Sequence, residues 1–203
     1  MRTALVGRER DLAVLERCLA AGLAGHPRLI LCRGEPGIGK TRLAEELCAL
    51  AEAAGAMVVW GRAPEAAGAP PFWPWRQILR AMGQHADLPD LAGKLGATAE
   101  LARLAPDLFP QERDEADGHP ATAEDRFRLF DAVDRLLRRL SHDRLVVIVL
   151  DDAHWADDSS LLLLQHLGDS MAAQRLLLVV NHRDTEPLGH VLLAGLPPGG
   201  EPA

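Results

Sequence analysis

The chain has 203 residues, which at roughly 100–200 residues per domain accommodates one domain. Its 48% hydrophobic and 25% charged content is that of an ordinary globular protein and excludes disordered, collagen-like and coiled-coil chains. Lys and Arg number 22 against 29 Asp and Glu, and a net charge of −7 argues against direct nucleic-acid binding, which needs a positive face.

Residues 9–23 read as an amphipathic helix, with Leu12, Leu15, Leu19 and Leu23 at steps of three and four. Arg28–Cys32 is a short apolar run broken by Gly34 and Pro36, the pattern of a buried strand entering a glycine-rich turn. Lys40–Ala54 is again helical, with Leu43, Leu47 and Leu50 on one side, and Met57–Trp60 is a second strand. In residues 61–75, Pro64, Gly68, Pro70, Pro71 and Pro74 surround Phe72, Trp73 and Trp75, which predicts an irregular loop. Short helices follow over 76–105, separated by Gly83, Pro89, Gly93 and Pro106, and 110–121 reads as an exposed loop. Thr122 caps a long helix to about Ser141, whose apolar face is Phe127, Phe130, Val133, Leu137 and Leu140. Arg144–Leu150 is the strongest buried strand and runs into Asp151 and Asp152; a helix around Ser159–Leu167 and a strand at Leu176–Asn181 complete the order. Strands alternating with helices predict an α/β fold, a parallel sheet flanked by helices on both faces.

One motif carries chemistry. Gly34-Glu35-Pro36-Gly37-Ile38-Gly39-Lys40-Thr41 fits G-x-x-x-x-G-K-[ST] and sits between a strand and a helix. Its glycines let successive N–H groups turn toward a phosphate, and the next helix offers its positive end to the same anion. Lys40 suits the outer phosphates and Thr41 a magnesium ion; the run Gly34 to Arg42 is taken as the nucleotide-contacting set. Lys40 and Lys94 are the chain's two lysines, which makes the one in the motif more informative. A P-loop site also needs an acid at a neighbouring strand end, and Asp151 fits a magnesium ligand there. Asp152 suits the positioning or deprotonation of water, or else a solvated turn or a helix cap. If the strand Leu176–Asn181 lies between the P-loop strand and the Asp151 strand, Arg183 at its end faces the γ-phosphate; a surface pairing with Asp184 or Glu186 is the alternative.

Five segments together resemble a known family: Leu5-Val6-Gly7-Arg8-Glu9-Arg10-Asp11-Leu12, the P-loop, Pro71-Phe72-Trp73-Pro74-Trp75-Arg76, Leu150-Asp151-Asp152-Ala153-His154-Trp155-Ala156-Asp157 and Arg183-Asp184-Thr185-Glu186. The chain resembles the AAA-like P-loop NTPase domain of the STAND class (signal-transduction ATPases with numerous domains). Its nearest likeness is to the N-terminal ATPase of large ATP-binding LuxR-family transcriptional regulators. The resemblance implies that Val6, Gly7 and Arg8 lie near the adenine and that Arg183 contacts the γ-phosphate. It implies an ATP/ADP switch with Mg2+ and slow hydrolysis. It also implies a P-loop core over 1–196 with a helical insertion at about 76–141, while the Pro/Gly-rich composition of 197–203 predicts a frayed tail. Family members continue with a fifth strand, a lid, sensor repeats and often a helix-turn-helix; this sequence is therefore expected to stop after four core strands, with the P-loop strand beside an unfilled edge open to a protein partner or a second copy. A remnant or interaction fragment without significant ATPase activity, and a small-molecule kinase, are the competing readings.

The remaining features are blander. His154 and Trp155 either pack the loop or shape the γ-phosphate site, and Phe72–Trp75 either covers the core or forms a partner groove. Arg135, Arg138, Arg139 and Arg144 have Asp131 and Asp134 one turn away, which predicts a solvated, charge-paired face. Three scattered cysteines (Cys18, Cys32 and Cys48) and eight histidines without H-x-x-x-H spacing predict free thiols and no zinc site. Early charges exclude a signal peptide and short apolar runs exclude a membrane span, so the protein is placed in the cytoplasm.

Overall fold

A computed structural model describes residues 8–65, 68–110, 122–172 and 174–183. Helix α1 (Glu9–Leu23) leads into β1 (Arg28–Arg33), the P-loop, α2 (Lys40–Ala53) and β2 (Met57–Arg62). Three short helices follow, α3 (Trp73–Met82), α4 (Leu88–Leu95) and α5 (Thr98–Leu104), then the long α6 (Ala123–Leu140). Strand β3 (Val146–Asp151), a 3-10 turn (Ala153–Trp155), α7 (Asp158–Ser170) and β4 (Leu176–His182) complete the described chain. The four strands form one parallel sheet in the order β1-β4-β3-β2, the predicted α/β architecture.

Strand alternation divides the core in two. Val146, Ile148, Leu150, Leu176, Leu178 and Val180 face α3–α7 and join the larger cluster. Val147, Val149, Leu177 and Val179 point the other way, onto Leu15 and Leu19 of α1 and Ala44, Leu47 and Ala51 of α2. Every residue of β3 and β4 is buried, because both strands have a neighbour on each side and helices on each face. β1 departs from the buried strand expected. Arg28, Leu31 and Arg33 are exposed, since β4 is its one sheet neighbour among the described residues.

The stretch 61–75 also departs from expectation. The segment from Trp73 onward is helical, and Pro74 is accommodated because the first helical turn needs no N–H from it. Trp75 is fully buried and donates from Nε1 to the Ser160 carbonyl at 3.0 Å, which fixes α3 to α7. Gly61 allows this packing: a Cβ there would lie 2.3 Å from the Pro74 carbonyl oxygen. Phe72 enters the same core in a left-handed conformation (φ 59°), its N–H held by Asp157 Oδ2 at 3.1 Å and its ring edge-on to Phe130. This buried set is core cover, as one of the two expectations held.

Smaller corrections concern helix ends and faces. Pro89 and Gly93 lie inside α4 rather than between helices; Asp87 caps that helix and Gly96 ends it. Thr122 caps α6 as expected, accepting from the Asp125 N–H at 3.0 Å. Phe127 is exposed on α6 rather than part of its apolar face, because the buried stripe runs through Leu129, Phe130, Val133, Leu136 and Leu137. In α2 the buried stripe is Ala44, Leu47, Cys48 and Ala51, leaving Leu50 exposed. The basic face of α6 is paired as expected through Arg135–Asp131 and Arg139–Asp143. Arg138 differs, because its partner Asp134 is buried. The predicted loop residues 111–121, Val6, Gly7, Asp184, Thr185, Glu186 and the tail 197–203 lie outside the described residues. Among the described residues no helix is long and apolar enough to cross a membrane.

Candidate nucleotide site

The site lies where the C-terminal ends of the strands meet the start of α2. Gly39 is the residue before that helix and adopts a left-handed conformation (φ 100°), as does Gly37 (φ 77°), so the loop folds back on itself without a Cβ penalty. The first turn of α2 carries no acid, which leaves its partial positive charge open to an anion. Lys40 points its ammonium back along the loop, donating to the carbonyls of Gly34 at 2.8 Å and Glu35 at 3.0 Å. Gly34 is buried, whereas Glu35, Pro36, Gly37 and Ile38 form the exposed crest. Arg42, in the first turn of α2, pairs with Glu45 and Glu46 one turn further on, at 3.1 and 2.5 Å. Arg8 bridges from the start of α1: one nitrogen holds Asp11 and another donates to the Ile38 carbonyl, each at 2.8 Å.

Asp151 is the hub. It ends β3, is 1% exposed, and accepts from three directions. The Thr41 hydroxyl lies 3.2 Å from Oδ1, and Asn181 Nδ2 donates to the same oxygen at 2.9 Å. Arg62 donates to Oδ2 from Nε at 3.1 Å and from Nη2 at 2.5 Å. That hydrogen bond and the Asp151 charge raise the Arg62 pKa further above its ordinary value. Sheet register explains the convergence. β2 and β3 pair Arg62 with Asp151, and β4 lies between β1 and β3, so Asn181 reaches Asp151 from the other side.

Asp152 turns out of the sheet in a left-handed conformation (φ 54°), makes no side-chain cap and lies 3.6 Å from Arg62 Nε. The cap of α7 is Asp157, which accepts from the Ser160 N–H at 3.0 Å. Arg183 follows β4, the position its expected role required, and places its guanidinium 5.3 Å from the Trp155 ring centre. His154 stacks obliquely on the other part of that loop, 5.2 Å from Trp155. The three cysteines are free. Burial pushes Cys32 up to about 11 and Cys48 up to about 12, so neither is a thiolate nucleophile at neutral pH.

Sequence reasoning placed Lys40, Thr41 and Asp151 together; Thr41 and Asp151 are in hydrogen-bond range, and Lys40, the residue before Thr41, has its ammonium on the Gly34 and Glu35 carbonyls. It missed Arg62 and Asn181. Each had a signal, as a polar residue at or next to the end of an apolar strand, yet neither belongs to a motif.

A family model for the AAA ATPase domain matches residues 4–180. The chain belongs to this family. The match spans every described strand except the end of β4, and it makes the P-loop site that of a nucleotide-binding AAA ATPase domain. No curated protein gives a significant match.

The donor set suits a magnesium ion in an AAA ATPase domain. Thr41 and Asp151 bring hard oxygen donors side by side, and Asn181 Oδ1 is buried without a hydrogen-bond partner among the described residues. No group of three His, Cys, Asp or Glu side chains that could hold a metal ion is present among the described residues. Mg2+ characteristically uses one or two protein ligands and completes its shell with water and phosphate.

Proposed function

We propose that this AAA ATPase domain binds ATP with Mg2+ and hydrolyses it slowly, as the nucleotide switch of a cytoplasmic signalling or transcription-regulatory ATPase of the STAND class. The observation that carries this reading is the 3.2 Å approach of the Thr41 hydroxyl to Asp151, across 110 residues of sequence and directly beside the P-loop. In this reading Lys40 leaves the Gly34 and Glu35 carbonyls for the outer phosphates, and the backbone of Gly34 to Arg42 cradles them. Thr41 and Asp151 hold the cation. When bound, magnesium neutralises phosphate charge as it develops. Asp152 orients water and accepts its proton; its half-exposed, left-handed position at the strand end leaves it open to solvent. Arg183 moves from the face of Trp155 to the γ-phosphate and so distinguishes ATP from ADP. Val6, Gly7 and Arg8 are the residues assigned to the adenine, and of these Arg8 donates to the Ile38 carbonyl in the P-loop.

The half-exposed β1 supports a second role, association with a protein partner or another copy along that edge. Phosphate release tests the switch reading. The account expects slow, Mg2+-dependent release without any added acceptor. Asp152→Asn then lowers turnover by about 100-fold while ATP still binds. Turnover that ignores Asp152, or that needs an acceptor, overturns it; the latter result makes the chain a kinase.

A further inference from the structure

The mechanism above does not use Arg62, yet Arg62 occupies its central carboxylate. Asp151 is buried and both of its oxygens are already engaged, Oδ1 by Asn181 and Thr41 and Oδ2 by two nitrogens of Arg62. A guanidinium and a divalent cation compete for one carboxylate, because each neutralises the charge that attracts the other and the two cations repel at contact distance. We propose that Arg62 gates cation loading: its guanidinium neutralises Asp151 in the metal-free state, and it swings off Oδ2, which also lies 3.4 Å from the Thr41 hydroxyl, when a divalent cation takes the carboxylate.

The surroundings are arranged for a side-chain swing and no more. The Arg62 backbone is fixed by Gln77, which donates to its carbonyl at 2.9 Å and accepts from its N–H at 3.3 Å. Its register opposite Asp151 is fixed by the β2–β3 ladder. The side chain, by contrast, is 61% exposed and stands over the rim of the site. A landing place is already at hand, since Asp152 Oδ2 lies 3.6 Å from Arg62 Nε and is 38% exposed. The same Nε is already near both carboxylates, so a guanidinium that leaves Asp151 Oδ2 keeps an acidic neighbour at the rim without having to close a hydrogen bond on Asp152. In its first position it spares Asp151 from being a buried charge without a counter-ion, which is costly to any fold. Arg62 is a positioning residue in this account, acting on the cation through Asp151.

The inference rests on the nucleotide reading, and the experiment separates the two. ATP binding is titrated against Mg2+ for wild type, Arg62→Ala and Arg62→Lys, and each protein is melted without metal. Removing the competitor lowers the Mg2+ midpoint for ATP binding by on the order of tenfold in Arg62→Ala. The same variant melts earlier without metal, and saturating Mg2+-ATP recovers part of the difference. Arg62→Lys retains the cation with less geometric fit, so its midpoint falls between the other two. A midpoint in Arg62→Ala that is unchanged or raised overturns the gate, as does a Lys variant no different from Ala. Weaker ATP binding in the absence of Mg2+ also overturns it, by making Arg62 a phosphate ligand. Wild type that binds no ATP at any Mg2+ concentration removes the nucleotide reading and the gate with it.

Discussion

Two buried aspartates, Asp151 at the end of β3 and Asp134 in α6, are held by matching donors. Asp151 has a threonine hydroxyl, an asparagine amide and an arginine. Asp134 has the Ser170 hydroxyl at 2.6 Å, the Gln174 amide at 3.0 Å and Arg138 at 2.6 Å. Each amide even keeps an oxygen that is buried and, among the described residues, without a hydrogen-bond partner. What separates them is place. Asp134 joins the C-terminal part of α6 to the end of α7, with an arginine one turn away on its own helix. Asp151 sits at a strand C-terminus beside the P-loop, and each of its donors comes from a different element. A buried, well-bonded carboxylate is therefore no mark of a site; one that faces a helix N-terminus and a phosphate-type loop is.

The comparison breaks if the two aspartates respond alike to substitution. Asp151→Asn keeps the shape and removes the charge. It lowers Mg2+-dependent ATP turnover by about 100-fold, read as phosphate release at saturating nucleotide. Asp134→Ala strands two donors and the paired arginine, and urea unfolding loses about 2–3 kcal/mol, with ATP affinity within about twofold of wild type. An Asp134→Ala protein that folds fully yet no longer binds ATP contradicts the distinction. The hydroxyls sharpen it further. Thr41→Ala weakens the Mg2+ dependence of ATP binding by about tenfold and leaves the metal-free melt nearly unchanged. Ser170→Ala does the reverse, costing about 1 kcal/mol in the melt with ATP binding intact.

Much of this contrast was legible in the sequence, and the limits have physical causes. The P-loop and Asp151 follow from local spacing and an apolar strand, so their meeting was foreseeable. The position of β4 between β1 and β3 was stated as a condition for Arg183, and the sheet order meets it. Arg62 and Asn181 were not foreseen, because their role depends on strand register, which no local pattern encodes. The same holds for β1: Leu-Ile-Leu reads as buried, yet exposure depends on how many neighbours the strand has. Pro74 and Pro89 misled in the opposite way. Proline was read as a breaker, and both sit in the first turn of a helix, where the missing N–H costs nothing.

The most direct test of the central claim is calorimetric binding of Mg2+-ATP to the wild-type chain and to Lys40→Ala, with both shown to be folded by their melts. The wild type is expected to bind saturably and Lys40→Ala to lose at least about tenfold in affinity. Equal affinity in the two proteins, or no binding by a folded wild type, contradicts that claim.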